Sequence, residues 1–422
     1  MLHGKTTRRA AAAVVTFMAA LACAVGGQEP DRSRVAPRRS VPNPRPPHAS
    51  ARLTFEQILY EGAFRLPAGG EGGTFAFGGR PMAFNPAAST LFVGTRSGKV
   101  AEVSVPTPAR GKRAEELPFA TYVQAFHDPA DGHMREVAEQ GAALDGLLVH
   151  EGRLYGTGVI YYDAVHAQQA THFMRSLKLG LPEVRRMHRV GENGQAGFVA
   201  GYMASVPEEW RSALGGSAVT GQCCIPIAGR TSWGPSLFSW QPGELGRSDR
   251  TKATPLVYYS SEHPTLGPWE GSSPAYGGTT EMAGVAIING TRTALFAGRN
   301  GTGPFCYGDG TADEARARQR RPGEELCYDP VLSDKGPHAY PYRLQFWAYD
   351  LSELAAVRAG DKDPWEIRPY ALWPFELPIQ VPRERLGAMA YDAATRRLFI
   401  SQLQADPDGY EFRPVIHVFK IS

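Results

Sequence analysis

A surplus of charge of one sign is missing from this chain: 422 residues carry 45 Lys and Arg against 42 Asp and Glu, a formal net charge of +3. The basic excess sits in residues 1–50, where eight Lys and Arg face only Glu29 and Asp31, so the rest of the chain is slightly acidic. Such a body lacks the basic field that nucleic-acid binding needs, which excludes nucleic acid as a partner. Cysteine is scarce, five residues in all, and no Cys-x-x-Cys spacing occurs. With no histidine near the Cys223-Cys224 pair, zinc geometry is not offered and no metal is expected. There is no Gly-x-Ser-x-Gly elbow and no nucleophilic triad pattern. The glycine-rich run Arg299-Asn300-Gly301-Thr302-Gly303 follows a strand pattern and opens no helix, which argues against a phosphate loop.

Glycine and proline are plentiful instead. Gly 47 and Pro 34 make up about 19% of the chain against a usual total of roughly 12%, so turns are frequent and many short strands are favoured over long helices. The hydrophobic content of 42% is ordinary for a globular protein and supports a sizeable core.

Residues 1–27 read as an export leader, with Lys5, Arg8 and Arg9 preceding the apolar run Ala10 to Ala22, which is too short to span a membrane. Thr7-Arg8-Arg9 also hints at a twin-arginine signal, although alanines replace the apolar pair usual after the arginines. Cleavage after Ala22 or Ala24, or lipidation at Cys23, are the alternatives; the last is the one route to a membrane. Residues 28–50, with six prolines among five arginines, predict an extended disordered linker, and residues 51–422 a single β domain. The expected location is the periplasm, the outer cell surface or the medium.

Beyond the leader four cysteines remain, Cys223, Cys224, Cys306 and Cys327, an even count that reads as two disulfides in an exported chain. Pairing of Cys306 with Cys327 would leave Cys223 and Cys224 as a vicinal disulfide; cross-pairing is the alternative.

One signature recurs along the domain: a short apolar strand, a turn, and a second strand beginning Leu-Phe or Leu-Tyr. It appears at 81–95, 146–158, 284–298 and 387–401, and a degenerate copy is expected around 217–260 with inner strands SAVTGQ and IPIAG. Third strands are expected at 99–106, 172–177, 236–245, 342–354 and 415–421, and fourth strands at 118–126, 197–207, 254–260 and 367–378. The last repeat is one strand short, and ILYEGAFRLP (58–67) can supply it, removing an exposed edge. The expected fold is an all-β propeller of five blades of four antiparallel strands closed by the N-terminal strand, with a short helix near 207–214; a two-sheet sandwich is the competing arrangement.

The segments YEGAFRLP, FNPAASTLFVG, KVAEVSVP, GTGPFCYG and KGPHAYPYRLQFWAYDLSEL resemble those of a group of uncharacterised exported bacterial propeller-type proteins. That resemblance implies fold and compartment and no activity. The vicinal cysteines are similar to those near the cofactor of quinone-dependent dehydrogenase propellers, but the tryptophan-bearing blade repeats of that type are missing, so no cofactor is expected.

In a propeller the first strand of each blade lines the central channel, so polar residues at these strand entries converge on one mouth. Here they are Arg80, Asp145, Glu281 and Arg385. Asp145 and Glu281 are the candidate catalytic pair for glycoside hydrolysis or lysis, the arginines separating their pKa values. Structural service, as turn caps or ion pairs with arginine, is the competing reading. Tyr161, Tyr162, Trp233, Trp269, Tyr276, Tyr340 and Tyr342 fall in expected loops, where rings suit stacking on sugar faces, and Arg299 and His338 add polar groups within reach of the mouth. In Thr231-Ser232-Trp233-Gly234-Pro235 the turn residues are expected to present the indole to solvent. His127, Asp128, Asp131 and His133 in FHDPADGH offer ligand-type atoms, which an Asp-Gly turn explains equally well. Three functions remain open: a glycan or other extracellular ligand bound at the mouth, a glycosidase or lyase, and an interaction platform of the cell envelope.

Overall fold

The first strand, β1 (Ile58–Arg65), opens no sheet of its own; it pairs antiparallel with the last strand of the chain, Ile58 opposite Ile421 and Arg65 opposite Val415. The computed structural model describes residues 51–139, 142–224, 230–318 and 325–422. The expected leader (1–27), the expected linker (28–50) and the IPIAG segment (225–229) lie outside the described residues.

Sheet one is the meander β2 (Met82–Asn85), β3 (Thr90–Gly94), β4 (Val100–Ser104) and β5 (Tyr122–His127). Sheet two contains β6 (Ala142–His150), β7 (Arg153–Ile160) and β8 (His172–Ser176), extended at its outer edge by a bridge between His172 and His188 beside the two-residue β9 (Arg189–Val190). The expected fourth strand at 197–207 is absent from this sheet. That segment makes a helical turn, α1 (Ala196–Val199), and then β10 (Met203–Ser205), the inner strand of sheet three.

Sheet three therefore starts earlier than the repeat pattern suggests. Helix α2 (Glu208–Leu214) is inserted after its first strand, and β11 (Ala218–Thr220), β12 (Leu237–Trp240) and, after the two-residue β13 (Arg250–Thr251), β14 (Ala253–Val257) complete it. SAVTGQ is the second strand and not the first, because three residues of β10 suffice to pair with β11 while α2 buries Trp210 and Leu214 against the sheet.

Sheet four pairs β15 (Glu281–Ile288) with β16 (Thr293–Gly301), then runs through an excursion of β17 (Cys306–Thr311), α3 (Glu314–Arg318), β18 (Leu326–Tyr328) and β19 (Gly336–His338). It returns as β20 (Tyr342–Asp350) and β21 (Ala371–Phe375). The expected third strand at 342–354 ends at Asp350, whose carboxylate accepts the Ser352 amide and caps α4 (Leu351–Ala359). Sheet five is β22 (Leu386–Asp392), β23 (Arg397–Asp408) and β24 (Glu411–Ile421), with β1 as the fourth strand, in the order β1-β24-β23-β22. The arrangement is all-β and propeller-like, with only short helices.

The sheets stack face on face, which explains why second strands such as β16 are buried along their whole length. Phe92 of sheet one packs with Leu147 and Phe173 of sheet two; Leu148 of sheet two with Phe238 and Trp240 of sheet three; Val219 and Leu256 of sheet three with Phe296 and Trp347 of sheet four. Leu295 and Phe346 of sheet four meet Leu398 and Ile400 of sheet five, and Phe399 and Val418 of sheet five meet Leu91 and Val103 of sheet one. Two glycines let the inner strands approach at their entries. A Cβ at Gly146 would fall 1.9 Å from the Gly201 carbonyl oxygen, and one at Gly387 would fall 2.4 Å from that of Gly79, so any side chain there would push neighbouring sheets apart. Among the described residues no helix is long and apolar enough to cross a membrane.

Candidate functional site

Three inner strands carry β-bulges near their entries, between Leu144 and Gly146 in β6, between Met282 and Gly284 in β15 and between Leu386 and Met389 in β22. A bulge re-aims neighbouring side chains, and here Asp145, Glu281 and Arg385 stand at or just before one. Glu281 is the hub. Its Oε1 accepts from Arg299 Nη2 at 2.7 Å, directly across the β15–β16 ladder, and its Oε2 accepts from Arg385 Nε at 2.8 Å, one sheet on. Burial opposes ionisation of this carboxyl, but the guanidiniums of Arg299, Arg385 and Arg80 outweigh it and hold the pKa down to about 2. Glu281 in turn raises the pKa of Arg385. Arg80 donates to the carbonyl oxygens of Gly387 and Leu386 at 3.0 and 3.3 Å, which ties sheet one to sheet five at the same level.

Tyr161 stands near this cluster: burial and then the Glu281 charge raise its phenol pKa, and Arg385 opposes them. The residue nevertheless remains 63% exposed, with Tyr162 at 74%. The loop that carries both is anchored from below. Asp163 accepts the backbone amides of Ala167 and Gln168 and forms a buried ion pair with Arg230 at 3.5 Å, while Arg230 donates to the Tyr161 carbonyl. Asp145 lies on the sheet-two side and accepts from Gln222 Nε2 at 2.5 Å, so its described partner is an amide and no arginine. Next to Gln222, Cys223 and Cys224 lie at disulfide distance from one another.

A carboxyl the sequence reading passed over also belongs here. Glu384, beside Arg385, is pushed up to about 7 by burial and by repulsion from Glu376, with Arg299 opposing, and its Oε1 is buried without a hydrogen-bond partner. Arg383 feels burial and repulsion from Arg385 and Arg299, which lower its pKa; its nearest carboxylate is the exposed Asp334 at 3.7 Å. The visible signal was the run Arg383-Glu384-Arg385, but burial of its middle residue cannot be read from residue types.

The remaining candidates divide. Arg299 is only 3% exposed and lies 4.3 Å over the Tyr342 ring, so it backs Glu281 and does not face solvent. His338 is committed: Nδ1 donates to Asp329 at 2.8 Å and Nε2 to the Gly308 carbonyl at 3.1 Å, while Tyr342 donates to the same Asp329 carboxylate at 2.6 Å. Burial opposes charge on both partners, but these bonds lower the Asp329 pKa and raise that of His338, and the two balance each other. Tyr340 packs edge-on against Tyr328 and Tyr342. Trp233 is half-buried and stacked on the buried Tyr276, where the turn was expected to present it, because Tyr259 and Leu266 close over Gly234. In FHDPADGH, Asp128 caps its own turn through the amides of Ala130 and Gly132, and Asp131 accepts the amides of Glu183 and Val184. Among the described residues no group of three metal-ligating side chains assembles. Cys306 and Cys327 lie at disulfide distance, Cα atoms 5.7 Å apart, at the base of the sheet-four excursion.

Toward the opposite ends of the inner strands lies a cavity of about 480 Å³ with Met82, Leu147, Met203, Ile287 and Met389 in its wall. Its wall is mixed, with Glu208, Glu209, Arg211 and Asp392 beside these apolar side chains.

No family model and no curated protein matches this chain. Among solved structures it is similar to a luciferin-regenerating enzyme at 8% identity, covering 88% of this chain and 95% of that one with a TM-score of 0.34. It is also similar to an oxidoreductase from Thermus thermophilus described as a glucose dehydrogenase, at 11% identity, 83% and 98% coverage and a TM-score of 0.33. Likenesses this loose carry no argument about the activity of this chain.

Proposed function

We propose that residues 51–422 form an exported five-bladed propeller, closed by β1, that binds an extracellular glycan at the mouth where the inner strands begin. Five shared cores, each joining one sheet to the next and the fifth back to the first, support the ring. The observation that carries the ligand reading is Tyr161: an exposed aromatic residue on a loop whose backbone is anchored by Asp163 and Arg230, close enough to Glu281 and Arg385 to feel their charges. A sugar needs this pairing of an apolar face to stack on and polar groups to orient its hydroxyls.

The test is intrinsic fluorescence across a glycan panel with wild type and Tyr161→Ala. A saturable change that the variant loses agrees with the proposal; a flat response in folded wild type to every glycan contradicts it.

The second reading, a glycoside hydrolase or lyase using Asp145 and Glu281, draws its support from two carboxyls at inner-strand entries, both beside β-bulges. Glu281 is too firmly ionised to donate a proton, so in this reading it serves as base or nucleophile. Reducing-sugar release from a polysaccharide panel, abolished by both Asp145→Asn and Glu281→Gln, would establish the enzyme; no release from folded wild type would leave the binding reading alone.

A further inference from the structure

Four guanidiniums meet at the mouth: Arg80, Arg299 and Arg385 all act on Glu281, and Arg383 senses both Arg385 and Arg299. The opposing carboxylates are few. Glu281 has both oxygens taken by Arg299 and Arg385. Asp334 is 80% exposed and reaches only Arg383, from 3.7 Å. Glu384 is half-buried, with its Oε1 buried and without a partner. Asp329 is balanced by His338. Among the described residues Arg299, Arg385 and Arg383 therefore share two ion-paired carboxylates, Glu281 and Asp334, and Arg80 has none.

These guanidiniums are poorly satisfied by the protein itself. Nε and Nη1 of Arg299 and Nε of Arg383 are buried without acceptors. Arg80 spends its described hydrogen bonds on the carbonyls of Gly387 and Leu386 and has no carboxylate within ion-pair distance among the described residues. Like charges crowded into a half-buried site are costly unless an anion joins them. Arg385 and Arg383 keep 29% and 39% of their side-chain surface open, so a ligand can reach them, whereas Arg299 only contributes its charge from behind. Guanidinium matches a carboxylate with paired donors, and Tyr161 lies close enough to Arg385 and Glu281 to feel both charges.

We infer that the glycan of the mouth is acidic: a uronate unit whose carboxylate is taken by Arg383, Arg385 and Arg80 while its ring lies against Tyr161. This rests on the glycan reading above and narrows it from sugars in general to carboxylate-bearing ones.

The test is calorimetric titration of the purified protein with tetramers of galacturonate, mannuronate and glucuronate, with the methyl-esterified galacturonate tetramer, and with inorganic phosphate. Arg383→Gln serves as the variant, because it removes charge without touching either bond to Glu281, and its thermal melting point is checked alongside. The expected result is binding of at least one uronate tetramer that weakens at least five-fold in Arg383→Gln and falls with added salt, with the methyl ester at least ten-fold weaker where galacturonate is the binder. Equal binding of an acidic tetramer and a neutral tetramer of like skeleton would overturn the acidic assignment and leave the glycan reading standing. Binding of phosphate with no uronate bound would overturn the acidic assignment, and so would the absence of any binding by folded protein; the glycan reading is decided separately by the fluorescence panel.

Discussion

Replacing Glu281 with glutamine perturbs the electrostatic centre of the mouth while keeping its shape. The native carboxyl titrates at about 2 against an ordinary value of 4.5, a difference of about 2.5 units that corresponds to roughly 3 kcal/mol of stability at neutral pH. The side chain retains 26% of its surface in contact with solvent, so screening trims the expected loss in Glu281→Gln to about 2–3 kcal/mol. Because the folded value lies below the unfolded one, the contribution is complete above pH 4.5 and is lost as pH falls through 2. By pH 3.5 the gap between wild type and variant should therefore narrow by about 1 kcal/mol. Urea unfolding of both proteins at pH 7, 5 and 3.5 reads this directly. A variant equal to wild type at pH 7, or a gap that does not shrink on acidification, would refute the account of the mouth as an arginine-held carboxylate.

Further outcomes follow from other parts of the fold. Cys306→Ser should cost about 3 kcal/mol through the loop that the Cys306–Cys327 link closes, measured by urea unfolding, and protein purified without reductant should show no free thiol among Cys223, Cys224, Cys306 and Cys327 in a thiol-reagent assay. Phe64→Ala in the closing strand, where the ring is fully buried against Ile416 and Val418, should cost about 3–5 kcal/mol by the same unfolding measurement. Glu384 is neutral below about 7 and charged above it, with Glu376 and Arg299 the charges it faces. Binding of an acidic sugar should therefore weaken from pH 6 to pH 8, and Glu384→Gln should flatten that dependence in the same titration.

The hairpins of sheets one, two, four and five were legible because each joins alternating apolar strands through a turn rich in Asn, Asp or Gly, and the pairing of 58–65 with the last sheet followed from counting one strand too few. Sheet three was misread for a physical reason: a three-residue inner strand carries no periodicity, whereas SAVTGQ has the better strand pattern and took its place. The end of the strand at Asp350 was signalled by Asp350 and Glu353, a helix start written in the sequence but overshadowed by the apolar run before it. In the site, the convergence of Arg80, Glu281 and Arg385 could be foreseen from strand entries. The Glu281–Arg299 bond could not, since counting back from the turn at Asn289-Gly290 places Asn300 opposite Glu281, and only the bulge before Gly284 brings Arg299 there. Glu384 and the covering of Trp233 depend on burial by distant segments, which residue types do not encode.

The claim on which the rest depends is that ligand binds where the inner strands begin, and a crystal structure of the protein with a bound uronate tetramer tests it most directly. The account predicts a sugar ring on Tyr161 with its carboxylate within hydrogen-bond distance of Arg383 or Arg385. Density for the sugar in the cavity toward the opposite strand ends, or on the outer loops with the mouth unchanged, would contradict it.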